Sequence, residues 1–253
     1  MNILILGLSS IVQRRVLPGL HALGVERVDV ATRKAVDPAV RRGWTHGHIF
    51  ESYQAALSES DASVVYVSLV NSEHEHWIEA SLRAGRHVIV DKPAALGCDV
   101  TERLLDLADR QARCLAEAIV FGYHPQVQVI RQVFAESASA PTQIAAFFSF
   151  PPLDPANFRY HRALGGGALW DVGPYAAAAG RIFFGAEPQT VSCEVLQTHG
   201  AEDLEIAFSA LCTFSEGRSL FGHFGFDTVY RNRLDLVSPN VGVQVDRIFT
   251  TAP

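Results

Sequence analysis

Short apolar runs alternate with helical stretches through the first half of the chain, and this alternation limits the possible folds most strongly. Strands are predicted over 2–6, 27–31, 62–70, 87–90 and 114–118, with helices over 10–23, 73–84 and 101–112. Strand–helix alternation with short connections produces right-handed βαβ units and a parallel sheet. The first half is therefore predicted to be an α/β domain.

The second half follows a different pattern. A helix is predicted over 125–138, a strand over 142–150, and a helix from the glycines at 165–167 to about Phe184. After Pro188 the sequence predicts strands over 191–198, 204–214, 219–226 and 234–245. This order is typical of an α+β domain with a mostly antiparallel sheet. The predicted domains are 1–120 and 121–253.

Composition argues against several classes of partner. A net charge of −6 provides no bulk attraction for nucleic acid or an anionic membrane surface. The four cysteines form no CxxC pair and have no histidine at metal-ligand spacing, so we expect reduced thiols, a cytoplasmic protein and no metal site. The opening run MNILILGL lacks the basic segment of a signal peptide, and no apolar run approaches the roughly 20 residues that span a bilayer.

The run GLSSIV at 7–12 follows the first predicted strand and is a candidate pyrophosphate site. Small residues let the backbone approach a diphosphate, and the N–H groups of a helix N-terminus attract it. Only the first glycine of the GxGxxG pattern is present, since Ser9 and Val12 replace the other two. We expect Gly7, Ser9, Ser10 and Ile11 to contact a dinucleotide, although a turn without a ligand would look similar.

The end of the second predicted strand suggests which dinucleotide binds. Thr32, Arg33 and Lys34 stand where an NAD-dependent enzyme has an acid for the adenosine ribose. A hydroxyl and two cations suit a ribose 2′-phosphate instead. The predicted cofactor is therefore NADP (NADPH); the alternative is a solvated turn.

Asp91, Lys92 and Pro93 follow the predicted strand 87–90. A residue just beyond the carboxyl end of a parallel strand faces the ligand crevice, and the proline biases Lys92 toward an extended backbone. Lys34 and Lys92 are the only lysines among 21 Lys and Arg residues. Because an ammonium can lose its proton where a guanidinium cannot, we predict a functional role for Lys92.

The run GGGALWDVGPYA at 165–176 is a further candidate. Asp171 and Tyr175 are four residues apart and share one face if a single helix contains both. An acid and a phenol on one face suit the orientation of a substrate and the donation of a proton. The alternative is an ordinary amphipathic helix with an incidental aspartate. Pro174 is expected to distort this helix.

Weaker candidates lie after the third strand, before the last predicted helices and on the first helix. Arg14 and Arg15 either reach a phosphate or form a solvated face. A single histidine is more often structural than catalytic. The other weak candidates are Asn71, His74, His124, Arg159 and Tyr160.

Two segments resemble the Gfo/Idh/MocA superfamily, which comprises glucose–fructose oxidoreductase, inositol dehydrogenase and rhizopine-catabolism proteins. They are VYVSLVNSEHEHWIEASLRAGRHVIVDKP at 65–93 and the glycine-rich run at 165–176. The family commonly has glutamate where Asp91 stands and histidine where Tyr175 stands. The runs SIVQRRVLP at 10–18 and FPPLDPANFRY at 150–160 are similar to its NDP-sugar 3-ketoreductase branch, NADPH enzymes of deoxysugar biosynthesis that also carry the tyrosine.

The resemblance implies roles for individual residues. Lys92 would contact substrate and nicotinamide ribose, Asp171 would orient the sugar, and Tyr175 would donate a proton as hydride reaches the carbonyl carbon. A nearby ammonium makes a phenol a better proton donor near neutrality. The expected cofactor contacts are Gly7, Ser9, Ser10, Ile11, Thr32, Arg33, Lys34, Ser68, Leu69, Asn71, His74, Asp91 and Lys92; the expected substrate contacts are Lys92, His124, Arg159, Asp171 and Tyr175.

Three functions remain open at this point: reduction of a sugar or nucleotide-sugar ketone by NADPH, oxidation of an aldose or cyclitol, and a non-catalytic NADP-binding regulator. The resemblance implies a C-terminal sheet that is shorter than usual. Family members generally continue, after the segment that corresponds to 246–253, with a last strand or two and a closing helix. We also expect a homo-oligomer built through this sheet. The run 220–226 has phenylalanines on alternate positions of a face that no later helix covers.

Overall fold

The protein is described by a computed structural model over residues 1–36, 41, 44 and 47–250. It consists of two compact units, Met1–Ala118 and Ile119–Pro253. The last three residues of the predicted second domain, 251–253, lie outside the described residues.

The first unit contains a six-stranded parallel sheet in the order β3-β2-β1-β4-β5-β6. This is the strand order of a doubly wound dinucleotide-binding fold, so the predicted α/β class is confirmed. The strands are β1 (Asn2–Leu6), β2 (Arg27–Ala31), β3 (Ile49–Phe50), β4 (Val64–Val67), β5 (His87–Val90) and β6 (Leu115–Glu117). A π-helical turn, Val12–Val16, precedes helix α1 (Leu17–Ala22), followed by α2 (Tyr53–Glu59), α3 (Asn71–Arg83) and α4 (Cys98–Arg110).

The central strand β1 is buried on both faces. Ile3, Leu4, Ile5 and Leu6 of β1 are each at most 4% exposed. Helices cover both faces of a doubly wound sheet, which is why the sequence of β1 is almost continuously apolar rather than alternating. The two-residue strand β3 and helix α2 were not predicted, because so short a strand leaves no periodic pattern.

The second unit contains a mixed sheet in the order β12-β11-β7-β10-β9-β8. Among the described strands the β7–β10 pair is parallel and the other pairs are antiparallel, which confirms the predicted α+β class. The strands are β7 (Gln143–Ser149), β8 (Thr190–His199), β9 (Leu204–Thr213), β10 (Ser219–Gly225), β11 (Arg231–Val237) and β12 (Gly242–Asp246). The helices are α5 (Pro125–Glu136), α6 (Ala168–Asp171) and α7 (Gly173–Phe184). In the described part of the chain, no helix is both long and apolar enough to cross a membrane.

Two elements predicted as continuous are divided in the structure. The predicted strand 234–245 is the hairpin β11–β12, whose turn is closed by Ser238 Oγ accepting from the Val241 N–H at 3.1 Å. The predicted helix 165–184 is broken between α6 and α7 at Val172, where φ is −118°. Pro174 lies in the first turn of α7, where a residue without an N–H group is tolerated.

The break changes the relation between Asp171 and Tyr175. Asp171 is the last residue of α6, and Tyr175 lies in the first turn of α7. The prediction that both share one face of a single helix is therefore wrong.

The phenylalanines of β10 do not form an uncovered face either. Phe224 of β10 and Phe226, which directly follows the strand, are completely buried in the core of the unit, whereas Phe221 points to the other face and is 45% exposed. The register places Leu211 of β9, which is 47% exposed, opposite Phe221. The expectation that these phenylalanines form one exposed row is therefore wrong. Successive side chains of a strand point to opposite faces, and those that face the helices belong to the core.

The buried side chain of Asn232 on β11 holds the segment that follows β12. Its Oδ1 accepts from the Phe249 N–H at 2.9 Å, and its Nδ2 donates to Thr250 Oγ1 at 2.7 Å. Phe249 is 1% exposed, and its ring centroid lies 5.2 Å from those of Phe121 and Tyr175. One amide therefore anchors an aromatic side chain that completes the core around Tyr175.

We predict that Asn232→Ala lowers the free energy of unfolding by about 1–3 kcal/mol, because it leaves the buried N–H group of Phe249 without its partner. Urea denaturation followed by circular dichroism would measure the change. Gln244→Ala removes an exposed amide that pairs with Arg233 on the neighbouring strand, and this matched control should stay within about 0.5 kcal/mol of the parent. Equal stability of the two variants would contradict the anchoring role.

Candidate active site

The candidate cofactor residues of the first unit gather at the carboxyl edge of its sheet. Gly7, Ser68 and Asp91 come directly after β1, β4 and β5, which are neighbours in the sheet. The direction in which strands are added reverses between β1 and β4. Ligands of doubly wound sheets bind outside the carboxyl ends of the strands at such a point.

Gly7 lets the turn after β1 touch the loop after β4. Its φ is +99°, and a Cβ at this position would lie 2.1 Å from the Ser68 carbonyl oxygen and 2.8 Å from the Leu69 side chain. Ser9 Oγ accepts from the Val12 N–H at 3.1 Å and contacts Ser68 Oγ at 2.8 Å. A turn that carries no side chain at position 7 and leads into a helix fits a dinucleotide diphosphate.

Asp91 ties the ends of β4 and β5 together. One carboxylate oxygen accepts from the Tyr66 hydroxyl at 2.6 Å, and the other accepts from Ser68 Oγ. Burial and the Asp91 charge raise the pKa of Tyr66 far above its ordinary value, so its hydroxyl stays protonated as a donor. Sequence reasoning missed Tyr66, although a tyrosine within a buried apolar strand is a usable signal, because its hydroxyl needs a partner.

His74 connects the loops after β4 and β5. It is completely buried, its Nδ1 lies 2.7 Å from the carbonyl oxygen of Pro93, and its Nε2 lies 3.2 Å from that of Leu69. Burial lowers the pKa of His74 and favours the neutral ring. His74 therefore supports the turn that contains Lys92, whose peptide bond to Pro93 is cis.

Arg33 lies at the end of β2, over an aromatic ring and beside an acid. Its guanidinium carbon is 4.5 Å from the ring centroid of Tyr53, and its Nη1 is 3.2 Å from Glu73 Oε1. Thr32 is buried, and its Oγ1 accepts from the Lys34 N–H at 3.2 Å. The sequence contains no acid directly after β2, yet the fold brings one from α3, 40 residues further along. No local pattern marks Glu73.

In the second unit, two predicted substrate residues form an ion pair. Arg159 Nε lies 2.7 Å from Asp171 Oδ2, and the Asp171 side chain is 6% exposed. Gly166 and Gly167 permit this arrangement. A Cβ on Gly166 would lie 2.5 Å from the Arg159 carbonyl oxygen, and the Gly167 N–H, in a residue with φ of +108°, donates to that oxygen at 2.9 Å.

Tyr175 lies in a cluster of aromatic side chains. The centroid of its ring is 5.0 Å from that of Phe148, 5.2 Å from that of Phe249 and 6.1 Å from that of Phe121. Tilted and edge-on contacts of this kind hold the phenol ring in one orientation.

Two further candidates make local contacts. His124 Nδ1 accepts from the Gln126 N–H at 3.2 Å, which caps the start of α5. Arg14 Nε donates to the Ser10 carbonyl oxygen at 3.2 Å. Among the residues that the structure describes, no group of three histidine, cysteine, aspartate or glutamate side chains is arranged to hold a metal ion.

A doubly wound dinucleotide-binding unit followed by an α+β unit with a mixed sheet defines the class of two-domain nicotinamide-dependent oxidoreductases. Residues 1–119 match the family model described as "Oxidoreductase family, NAD-binding Rossmann fold", and residues 128–240 match the "GFO/IDH/MocA C-terminal domain". The chain belongs to the Gfo/Idh/MocA family of oxidoreductases.

Several characterised proteins are similar to this chain. The dTDP-3,4-didehydro-2,6-dideoxy-alpha-D-glucose 3-reductase of Actinomadura kijaniata is 32% identical over 97% of this chain and 74% of that protein. D-xylose 1-dehydrogenase (NADP(+)) 2 of Haloferax volcanii is 29% identical over 88% of this chain and 69% of that protein. The crystal structure of KijD10, a 3-ketoreductase from Actinomadura kijaniata in complex with NADP and TDP-benzene, has a TM-score of 0.88 at 30% identity and covers 99% of this chain and 77% of that chain.

We predict that His74 makes the stability of the protein depend on pH. Because burial lowers its pKa in the folded state, the unfolded chain takes up a proton first as the pH falls. At pH values below about 6.5, the ordinary pKa of histidine, His74 therefore lowers the free energy of unfolding. The loss is at most about 1.4 kcal/mol for each pH unit.

Urea denaturation between pH 7.5 and 5.5 would test this effect. His74→Gln should reduce the loss of stability in that interval, whereas His76→Gln, which changes an exposed histidine on the same helix, should leave it as in the parent. An unchanged loss in His74→Gln would show that other groups cause it.

Proposed function

We propose that the protein is an NADPH-dependent reductase of a keto-sugar carried on a nucleotide. The observation that carries this proposal is the sequence identity of 32%, over 97% of the chain, to a dTDP-keto-sugar 3-reductase. The positions of the functional side chains support it. Lys92 follows β5 at the carboxyl edge of the parallel sheet, and Tyr175 lies in a closely packed aromatic cluster.

Residues of the first unit are proposed to hold the cofactor, which supplies a hydride when bound. The turn from Gly7 to Ser9 would accept the diphosphate, Arg33 the ribose 2′-phosphate, and Lys92 the nicotinamide ribose and the substrate. Asp91 and His74 keep this edge in place through the contacts described above. The remaining proposed contacts are Ser10, Ile11, Thr32, Lys34, Ser68, Leu69 and Asn71.

Residues of the second unit are proposed to position and protonate the substrate. Tyr175 would donate its phenolic proton to the carbonyl oxygen of the keto-sugar while the carbonyl carbon receives a hydride. Asp171 would orient the sugar by accepting a hydrogen bond from a hydroxyl group. The ion pair with Arg159 supports this role, because it fixes the orientation of the carboxylate. Solved variants of KijD10 replace a tyrosine or a lysine, the two residue types that we propose here.

A second candidate function is the NADP-dependent oxidation of an aldose. The similarity to a D-xylose 1-dehydrogenase favours it, and Tyr175 would then accept the proton rather than donate it. Spectrophotometric assays would separate the two, with NADPH tested against nucleotide keto-sugars and NADP against free aldoses. Turnover with neither set would favour a binding protein without catalysis.

We also propose a homo-oligomer that forms through the exposed face of the second sheet, and a cytoplasmic location. Leu211 and Phe221 lie opposite each other on this face and are both nearly half exposed.

All four cysteines are free thiols, as expected in a reducing compartment.

For the chemistry, we predict that Tyr175→Phe lowers kcat by about 10²–10⁴ and leaves the Kd for NADPH nearly unchanged, because only the proton donor is removed. Lys92→Ala should lower kcat comparably, and Lys92→Arg should not restore it, since the planar guanidinium differs in shape from a compact ammonium. Tyr123→Phe removes a hydroxyl from a residue that is 86% exposed and serves as the control. Near-normal turnover in Tyr175→Phe would exclude Tyr175 as the acid.

For the cofactor, we predict tighter binding of NADPH than of NADH. Arg33→Ala should weaken NADPH binding by roughly 1–3 kcal/mol, the value of a charge-assisted contact, and change NADH binding far less. Isothermal titration calorimetry would measure both. Arg83→Ala, which removes an exposed arginine paired with Glu79, is the matched control. Equal or tighter binding of NADH by the parent protein would contradict the prediction.

A further inference from the structure

An acid lies beside the arginine that we assign to the 2′-phosphate. Glu73 Oε1 is 3.2 Å from Arg33 Nη1, although the chain has no acid directly after β2. We propose that Glu73 determines how strongly the protein discriminates between the two cofactors: it weakens NADPH binding and permits NADH binding. This inference rests on the proposed function, because it assumes a dinucleotide at this edge.

The positions of both side chains are fixed by aromatic residues. The Arg33 guanidinium lies over Tyr53 at 4.5 Å and reaches Trp77 at 5.9 Å. Trp77 Nε1 donates to the second oxygen of Glu73 at 3.2 Å. Tyr53 and Trp77 are 7% and 6% exposed and pack edge to face, with ring centroids 5.0 Å apart. The acid and the base are thus held by side chains from two helices, α2 and α3.

The charges at this site have opposite effects on the two cofactors. A 2′-phosphate binds to arginine through charge-assisted and often bidentate hydrogen bonds, and the Glu73 carboxylate already accepts from Nη1. Its negative charge would also repel a phosphate bound to Arg33. A ribose 2′-hydroxyl is a hydrogen-bond donor, which a carboxylate accepts, as the acid at the end of the second strand does in NAD-dependent enzymes.

The neighbouring residues leave this role to Glu73. Thr32 is buried, and its hydroxyl accepts from the Lys34 N–H, so its oxygen is engaged in the turn. The ion pair of Arg33 is only partly screened, since the Arg33 side chain is 55% exposed and that of Glu73 is 33% exposed. The effect on binding should therefore be moderate and should decrease with added salt.

A structural role for Glu73 predicts the opposite result. If Glu73 only held the Arg33 guanidinium in the correct plane for a phosphate, removal of its charge would release Arg33 and weaken NADPH binding. Glu73→Gln separates the two roles, because the amide oxygen still accepts from Trp77 while the negative charge is lost.

The test is the dissociation constant of NADPH and of NADH, measured by calorimetry at low and high salt on the full chain. For Glu73→Gln we expect NADPH to bind about three- to tenfold more tightly and NADH about two- to fivefold more weakly, as for a partly screened charge. The gain for NADPH should shrink at high salt. Glu79→Gln changes another acid of α3, paired with Arg83, and should alter neither constant.

The outcomes distinguish this inference from the proposed function. Unchanged or weaker NADPH binding by Glu73→Gln, with circular dichroism as in the parent, would overturn the role of Glu73 and leave the cofactor proposal intact. If the parent protein bound neither dinucleotide, the proposed function would fail and this inference would fail with it.

Discussion

The close contact between Gly7 and the backbone of Ser68 is the constraint on which the first unit depends. Any side chain at position 7 would collide with that backbone, so only glycine lets the turn after β1 reach the loop after β4. This approach brings Ser9 within hydrogen-bond distance of Ser68, which in turn donates to Asp91. The turn of Lys92 begins there. A steric requirement at one position thus allows three strand ends to share one polar network.

The second unit positions its functional side chains mainly by packing. The Tyr175 ring touches three phenylalanines, one of which lies on the segment anchored by Asn232. Asp171 is placed by a direct ion pair with Arg159 and by glycines that allow their backbones to come close. A buried aromatic ring has few alternative orientations, whereas a carboxylate is held in one place by directional hydrogen bonds, which Arg159 donates here.

Much of the fold could be predicted because it rests on local patterns. Strands β1, β2 and β5 have the predicted bounds, so the positions of Gly7 and Lys92 just after strand ends could be predicted from the apolar runs. The errors arose where local rules were insufficient. Helical spacing cannot reveal that the helix is interrupted at Val172, which places Asp171 and Tyr175 on separate helices. Alternation in β10 also cannot show which face the helices cover.

The sequence by itself determined the class of fold, most of the strands and helices and the residue types available at each strand end. Only the tertiary structure decided which distant groups meet: Glu73 beside Arg33, His74 between two loop carbonyls, and Arg159 on Asp171. The physical reason is that backbone conformation and apolar periodicity are properties of neighbouring residues. Hydrogen bonds and ion pairs, in contrast, depend on distances of a few ångströms that exist only after the strands and helices have packed.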